Sequence, residues 1–274
     1  MVSKTSRSSN LQFLKLGGSL ITDKSIPSTP RLDVIARLAA EIAAVKEKEP
    51  NLQIILGHGS GSFGHVPAKK YGTRNGVKTM QQWSGFTQVW WQATSLNRLV
   101  IEALQNAGIL AIAFPASAGA ITKSGRLTNW NITPLLAALE AGMLPVVFGD
   151  VAFDNQIGGT ILSTEDIFEY LAAKLNPSRV LLAGLEQGVY SDYPERTNLI
   201  PTISPQNIDE ISAFLGGSAA TDVTGGMDSK VNQMLNLVEK FPFTQVCIFS
   251  GNEADNVKNA LLGDHLGTHI KSSK

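Results

Sequence analysis

Apolar and polar positions along the chain follow two rhythms. Short apolar runs that stop at or near glycine predict strands: Leu11–Leu16 before Gly17-Gly18-Ser19, Leu52–Leu56 before Gly57-His58-Gly59-Ser60-Gly61, and Leu144–Phe148 before Gly149-Asp150. Ala111–Phe114, Arg179–Ala183 and Gln245–Phe249 read the same way. Between the runs, apolar residues recur at three- and four-residue spacing. Leu32, Ile35, Leu38, Ala39, Ile42 and Val45 thereby predict a helix from about Arg31 to Lys48. The same spacing predicts helices near 81–107, 133–141, 165–175, 227–240 and 254–262, with hairpins at 151–162 and 188–202. Strands alternating with helices imply crossover connections, hence a mainly parallel central sheet covered on both faces: a three-layer α/β/α open sandwich. Ligands of such sheets sit at the carboxyl ends of the strands, where these glycines lie.

A length of 274 residues allows one or two domains. With no internal repeat and no linker, the chain reads as one continuous body with two lobes, 11–163 and 164–274, behind a Ser-rich, disordered tail at 1–10. Lys and Arg number 23, as do Asp and Glu. No global field therefore favours nucleic acid or an anionic membrane, and any anion must be held by local placement. One cysteine, Cys247, excludes an intrachain disulfide and a zinc-thiolate cluster and fits a reducing compartment. Four histidines without ligand spacing argue against a structural transition metal. No apolar segment follows the N-terminal cations and no run is long enough to span a bilayer, so the expectation is a soluble, cytoplasmic protein.

Four glycine-rich stretches flank strands or helices: Gly17-Gly18-Ser19, Gly57–Gly64, Gly158-Gly159-Thr160 and Thr224-Gly225-Gly226. Glycine lets backbone N–H groups converge on phosphate oxygens. Gly59-Ser60-Gly61-Ser62-Phe63-Gly64 matches the dinucleotide-binding G-x-G-x-x-G by letter, but no acid follows at the ribose-binding distance. From Pro50 to Ile101 there is no Asp or Glu at all. A Walker A loop is excluded because no Gly-Lys-Ser/Thr tripeptide occurs. The acid-free stretch carries Lys69, Lys70, Arg74, Lys78 and Arg98 around the glycine loop, which points to an anionic ligand. Lys15 is an odd charge for a buried parallel strand, Lys24 follows the first glycine pair, and Lys230 lies one turn into the helix after Gly226. Lysines beside glycine loops are what phosphoryl transfer requires, because its transition state spreads charge over several oxygens.

Lys15-Leu16-Gly17-Gly18-Ser19, Gly57–His65 and Asp222-Val223-Thr224-Gly225-Gly226-Met227 resemble the amino acid kinase superfamily and, within it, the isopentenyl phosphate kinases, in order from about Leu11 to Ile270. The resemblance implies Mg²⁺-dependent transfer of the ATP γ-phosphoryl group to isopentenyl phosphate, an acceptor lobe, an ATP lobe and a homodimer. By position, Lys15 and Lys24 would contact the transferring group, and Lys230 with Gly226 would hold ATP. Gly17, Gly18 and Ser19 would line its phosphates. Ser60 and Gly61 would supply N–H groups between the two phosphates, His65 would bind the acceptor phosphate, Gly159 would sit in a substrate loop, and Asp166 would orient the lysines. No metal-ligating set is implied. A phosphate monoester is already an anionic nucleophile, so His65 is expected to bind and neutralise charge rather than remove a proton. The alkenyl tail needs an apolar slot. Phe86, Val89, Trp90 and Ala93 recur at helical spacing, and position places Val89 and Ala93, with Ala68, near that tail.

Three features depart from the family pattern. Gly184-Leu185-Glu186-Gln187-Gly188-Val189 replaces a common Thr-Asp-Val-Asp-Gly-Val, so the aspartates near the nucleotide are missing. Ser60 stands where glycine is common, and Phe148 where histidine is. Two rival readings stay open here: a kinase of the same superfamily with another acceptor, such as a fosfomycin kinase, and a non-catalytic nucleotide-binding regulator. An apolar slot favours the alkenyl acceptor over fosfomycin, and retention of Lys15, Lys24, His65, Asp166 and Lys230 together speaks for catalysis.

Overall fold

The structure is a computed structural model that describes residues 10–215 and 226–273. The tail before Asn10, and Asp222 to Gly225 of the third glycine motif, lie outside the described residues. The first half of the chain runs β1 (Leu11–Leu16), α1 (Gly18–Ile21), β2 (Thr22–Asp23), β3 (Thr29–Pro30), α2 (Leu32–Lys48), β4 (Gln53–His58), α3 (His65–Tyr71) and α4 (Met80–Asn106). It continues through β5 (Ala111–Ala113), β6 (Ile121–Lys123), β7 (Arg126–Asn129), α5 (Thr133–Glu140) and β8 (Leu144–Phe148). The second half contains β9 (Asp150–Asp154), β10 (Gly158–Leu162), α6 (Thr164–Leu175), β11 (Arg179–Gly184), β12 (Val189–Tyr190), β13 (Leu199–Ile200) and β14 (Thr202–Ile203). After α7 (Ile208–Leu215) come α8 (Gly226–Lys240), β15 (Gln245–Ser250), α9 (Asn256–Leu262) and β16 (Thr268–Ile270).

Among the described residues the central sheet has the order β14-β16-β15-β11-β1-β4-β8-β5. The six strands from β15 to β5 are parallel, as the alternation of apolar run and helix requires; β16 runs antiparallel to β15 and carries the edge strand β14 parallel to itself. Burial on both faces explains the apolar character of β8, of most of β11 and of β1 apart from Gln12 and Lys15. One core layer packs Phe13, Ile55, Phe168 and Val180 under α6 and α8, and the other packs Leu14, Leu38, Ile42, Leu56 and Leu96 under α2 and α4. A second sheet, β10-β9-β6-β7, lies outside the main one. Its β9–β10 hairpin follows the sequence reading, whereas the β6–β7 hairpin, α1, α3 and β16 are additions to it.

Candidate active site

The sheet order puts the carboxyl ends of β1, β4, β8 and β11 side by side, and there a cavity of about 280 Å³ opens. Two glycine loops cross on its floor. A Cβ on Gly18 would fall 2.4 Å from the Gly61 nitrogen, and Gly61 itself has φ +54°. Only glycine allows this backbone-to-backbone approach, and glycine adopts the left-handed conformation without strain. Thr22 fastens the crossing: its Oγ1 donates to the Gly18 carbonyl at 2.7 Å and accepts from the Ser62 N–H at 2.9 Å. The Gly17 N–H donates to the Ala183 carbonyl and the Gly59 N–H to the Leu16 carbonyl, so these two amides hold the loops to the sheet.

Lys15, the penultimate residue of β1, is 9% exposed, and its Nζ donates to Glu165 Oε1. Glu165 reaches it from the first turn of α6, which docks against the end of β4 because Thr164 Oγ1 donates to the His58 carbonyl at 2.6 Å. Burial pushes the Glu165 carboxyl up, but the charges of Lys15 and Lys230 and the Lys15 hydrogen bond outweigh it and hold the group below its ordinary range. It is therefore an anion between two cations. Around this trio the amino ends of α1, α6 and α8 border the cavity through Gly18 and Ser19, Ser163 and Thr164, and Gly226 and Met227. The positive ends of helix dipoles and two lysines make the floor attractive to phosphate.

Most of the residues expected from the sequence gather here: Lys15, Gly17, Gly18, Ser19, Lys24, Ser60, Gly61, His65, Gly226 and Lys230 all line the cavity. His65 opens α3 behind Gly64, whose φ of +84° turns the chain and whose N–H donates to Gln92 Oε1. Five others do not line it: Asp166 and four in apolar surroundings. Ala68 and Val89 pack with Val77, Phe86 and Val151 in a satellite cluster, Ala93 is buried along α4, and Gly159 lies under Phe86. The cluster meets the cavity through Ile161, which belongs to both.

Asp166 requires a correction. The carboxylate that meets Lys15 is Glu165, and Asp166 lies outside the cavity lining. Asp166 is the N3 residue of a capping box: it accepts from the Ser163 N–H at 2.8 Å while Ser163 Oγ accepts from the Asp166 N–H. Its carboxylate also accepts from Gln233 of α8 at 3.0 Å and from Arg74 at 3.5 Å. His58, at the end of β4, is fully buried and bonds Asn97 at 3.1 Å, stacked on Phe148; burial lowers its pKa and keeps it neutral. Beyond the expected set, Leu185, Glu186, Tyr190, Tyr193 and Met227 also line the cavity.

Glycine loops crossed at strand ends, with a buried lysine and helix amino ends around them, define a site for phosphorylated ligands. The amino acid kinase family profile matches residues 10–250, and the chain belongs to that family. Its sequence is 33% identical to isopentenyl phosphate kinase of Methanocaldococcus jannaschii, over 96% of this chain and 100% of that protein. To the isopentenyl phosphate kinase of Methanothermobacter thermautotrophicus it is 34% identical, over 94% and 98%. A solved isopentenyl phosphate kinase superposes with a TM-score of 0.79 at 28% identity, covering 95% of this chain and 100% of that one. A substrate complex of isopentenyl phosphate kinase superposes at 0.74, with 26% identity and the same coverage.

Proposed function

We propose that the protein transfers the γ-phosphoryl group of ATP to isopentenyl phosphate, forming isopentenyl diphosphate and ADP. The observation that carries this reading is the Lys15–Glu165 pair beneath the crossed glycine loops, within the field of Lys230. An acceptor-phosphate oxygen attacks the γ-phosphorus, the bond to the β-phosphate oxygen breaks, and ADP leaves. No proton has to be removed from an acceptor that is already anionic. Lys15 and Lys24 are assigned to the oxygens of the moving group, and Lys230 with Gly226 to the ATP phosphates. N–H groups of Gly18, Ser19, Ser60 and Gly61 are assigned to bridging contacts, and His65 to the acceptor phosphate. Glu165 keeps the ammonium groups in place and is a positioning residue.

In this reading residues 11–163 form the acceptor lobe and 164–274 the ATP lobe. Ala68, Val89 and Ala93 sit around the path of the tail beyond Ile161, and Gly159 gives Phe86 room beside it. That apolar surrounding favours an alkenyl acceptor over a polar one such as fosfomycin. Mg²⁺ belongs to the reading as well. Among the described residues no three acidic, histidine or cysteine side chains gather as ligands. The ion would therefore be held by phosphate oxygens and water, as suits a cation that dehydrates reluctantly, and it would neutralise phosphate charge. A cytoplasmic homodimer completes the proposal; among the described residues no helix is long and apolar enough to cross a membrane.

The test is an acceptor screen with ATP, followed by phosphorus NMR, over isopentenyl, dimethylallyl and geranyl phosphates, fosfomycin and amino-acid carboxylates. Isopentenyl phosphate is expected to turn over fastest, and preference for a carboxylate or fosfomycin would overturn the reading. In His65→Ala, turnover is expected to fall about 10²-fold or more with ATP binding unchanged. Unaltered acceptor kinetics in that variant would remove His65 from the site.

A further inference from the structure

One wall of the cavity takes no part in the transfer. It is formed by Leu185, Glu186, Tyr190 and Tyr193, in the segment joining β11 to the β12–β13 hairpin and in that hairpin itself. Among the described residues lining the cavity, the carboxylates are Glu165 and Glu186. Glu165 is committed to Lys15 on the floor. Glu186 lies under different constraints: its Oε1 is 2.9 Å from Arg196 Nη2, and a third of its side chain stays accessible. The Arg196 guanidinium in turn sits 5.0 Å above the centre of the Tyr193 ring.

This arrangement is held by the hairpin tip. Asp192 accepts from Thr197 and Asn198 through both carboxylate oxygens, and its carbonyl accepts the Glu195 and Arg196 N–H groups. Asp192 is thus consumed within the turn, and Arg196, at φ +57°, is directed back onto Glu186. The result is a carboxylate held by a guanidinium that itself covers the Tyr193 ring, on a wall otherwise supplied by Leu185, Val189 and Tyr190 with Met227 also in the lining.

An ionised carboxylate accepts hydrogen bonds and cannot donate them. Towards a nucleotide it selects neutral donors, and it repels a further phosphate. The apolar and aromatic neighbours suit the flat base, which leaves the sugar hydroxyls for the carboxylate. We propose that Glu186, aimed by Arg196 against Tyr193, is the specificity residue that reads the ribose hydroxyls of the nucleoside triphosphate. The inference rests on the ATP reading given above.

Calorimetric titration of the full chain with ATP and with 2′,3′-dideoxyATP tests it without an acceptor. The wild-type protein is expected to bind ATP about tenfold or more tightly than the dideoxy analogue, the size of a hydrogen bond to a charged acceptor. Glu186→Ala is expected to bring the two within about twofold, and Glu186→Gln to an intermediate ratio, with both variants melting near the wild-type temperature. Equal binding of the two nucleotides by wild type, or an undiminished preference in Glu186→Ala, overturns the assignment. A wild-type chain that binds neither nucleotide overturns the ATP reading itself, and so the two failures are told apart.

Discussion

The charged floor and the apolar cluster beside it border one cavity on opposite terms. On the floor, Lys15, Glu165 and Lys230 are set by the protein's own pairings, and the glycine loops are clipped backbone to backbone. In the cluster, Ala68, Val77, Phe86, Val89 and Val151 fill their own space, and the rings of Trp83, Phe86 and Phe153 meet edge-on or tilted with centres 5.1 to 5.8 Å apart. On the proposed reading, recognition of phosphate is built in advance, whereas room for a hydrocarbon tail depends on how these side chains yield. Rate should be sensitive to the floor, and selectivity to the cluster.

The largest break in that comparison is Lys15→Met. It removes a positioned charge and leaves Glu165 buried with a single cation, and kcat is expected to fall about 10²- to 10³-fold. Steady-state kinetics on folded variant decides the matter: a kcat within tenfold of wild type would mean that the floor is not where transfer occurs.

The two sides also treat buried carboxyls oppositely. Asp150 adjoins the cluster residue Val151, and burial pushes its carboxyl up to about 6, although N–H groups of Ser117 and Val151 pull against this. Its folded value lies above that of the unfolded chain, so the stability it contributes is fully present in acid and is lost as pH rises through about 6. Glu165 has the opposite sign: its contribution is present above the unfolded carboxylate range and is lost as pH falls through its depressed folded value. In Asp150→Asn, the stability lost by wild type between pH 4 and pH 7.5 should shrink by on the order of 2 kcal/mol. Urea unfolding at the two pH values measures it, and an unchanged difference would show Asp150 to be ionised throughout.

The smallest effect belongs to the cluster. Val89→Ala should shift kcat/KM towards geranyl phosphate relative to isopentenyl phosphate, by about fourfold for each methylene newly accommodated. An unaltered ratio would move the tail path elsewhere.

The parallel sheet was legible because strands buried on both faces must be apolar throughout, and Lys15 stood out for the same reason. The floor was legible because close backbone approach demands glycine. Elements without a rhythm were not: α1 and α3 are one or two turns long, and β16 is only three residues. The exchange of Asp166 for Glu165 had a signal that spacing supplies. Ser163-Thr164-Glu165-Asp166 is a capping box, which turns the fourth residue back onto the helix end and leaves the third to face the sheet. Glu186 had no such signal. Its partner Arg196 lies ten positions on, across a turn whose geometry Asp192 determines.

Thr22 gives the crossing of the loops a property that neither loop has alone. Its single hydroxyl serves both as giver and as receiver, so the two glycine loops of the floor share one fastener. Losing that one hydroxyl would leave the Ser62 amide and the Gly18 carbonyl without this link at the same time.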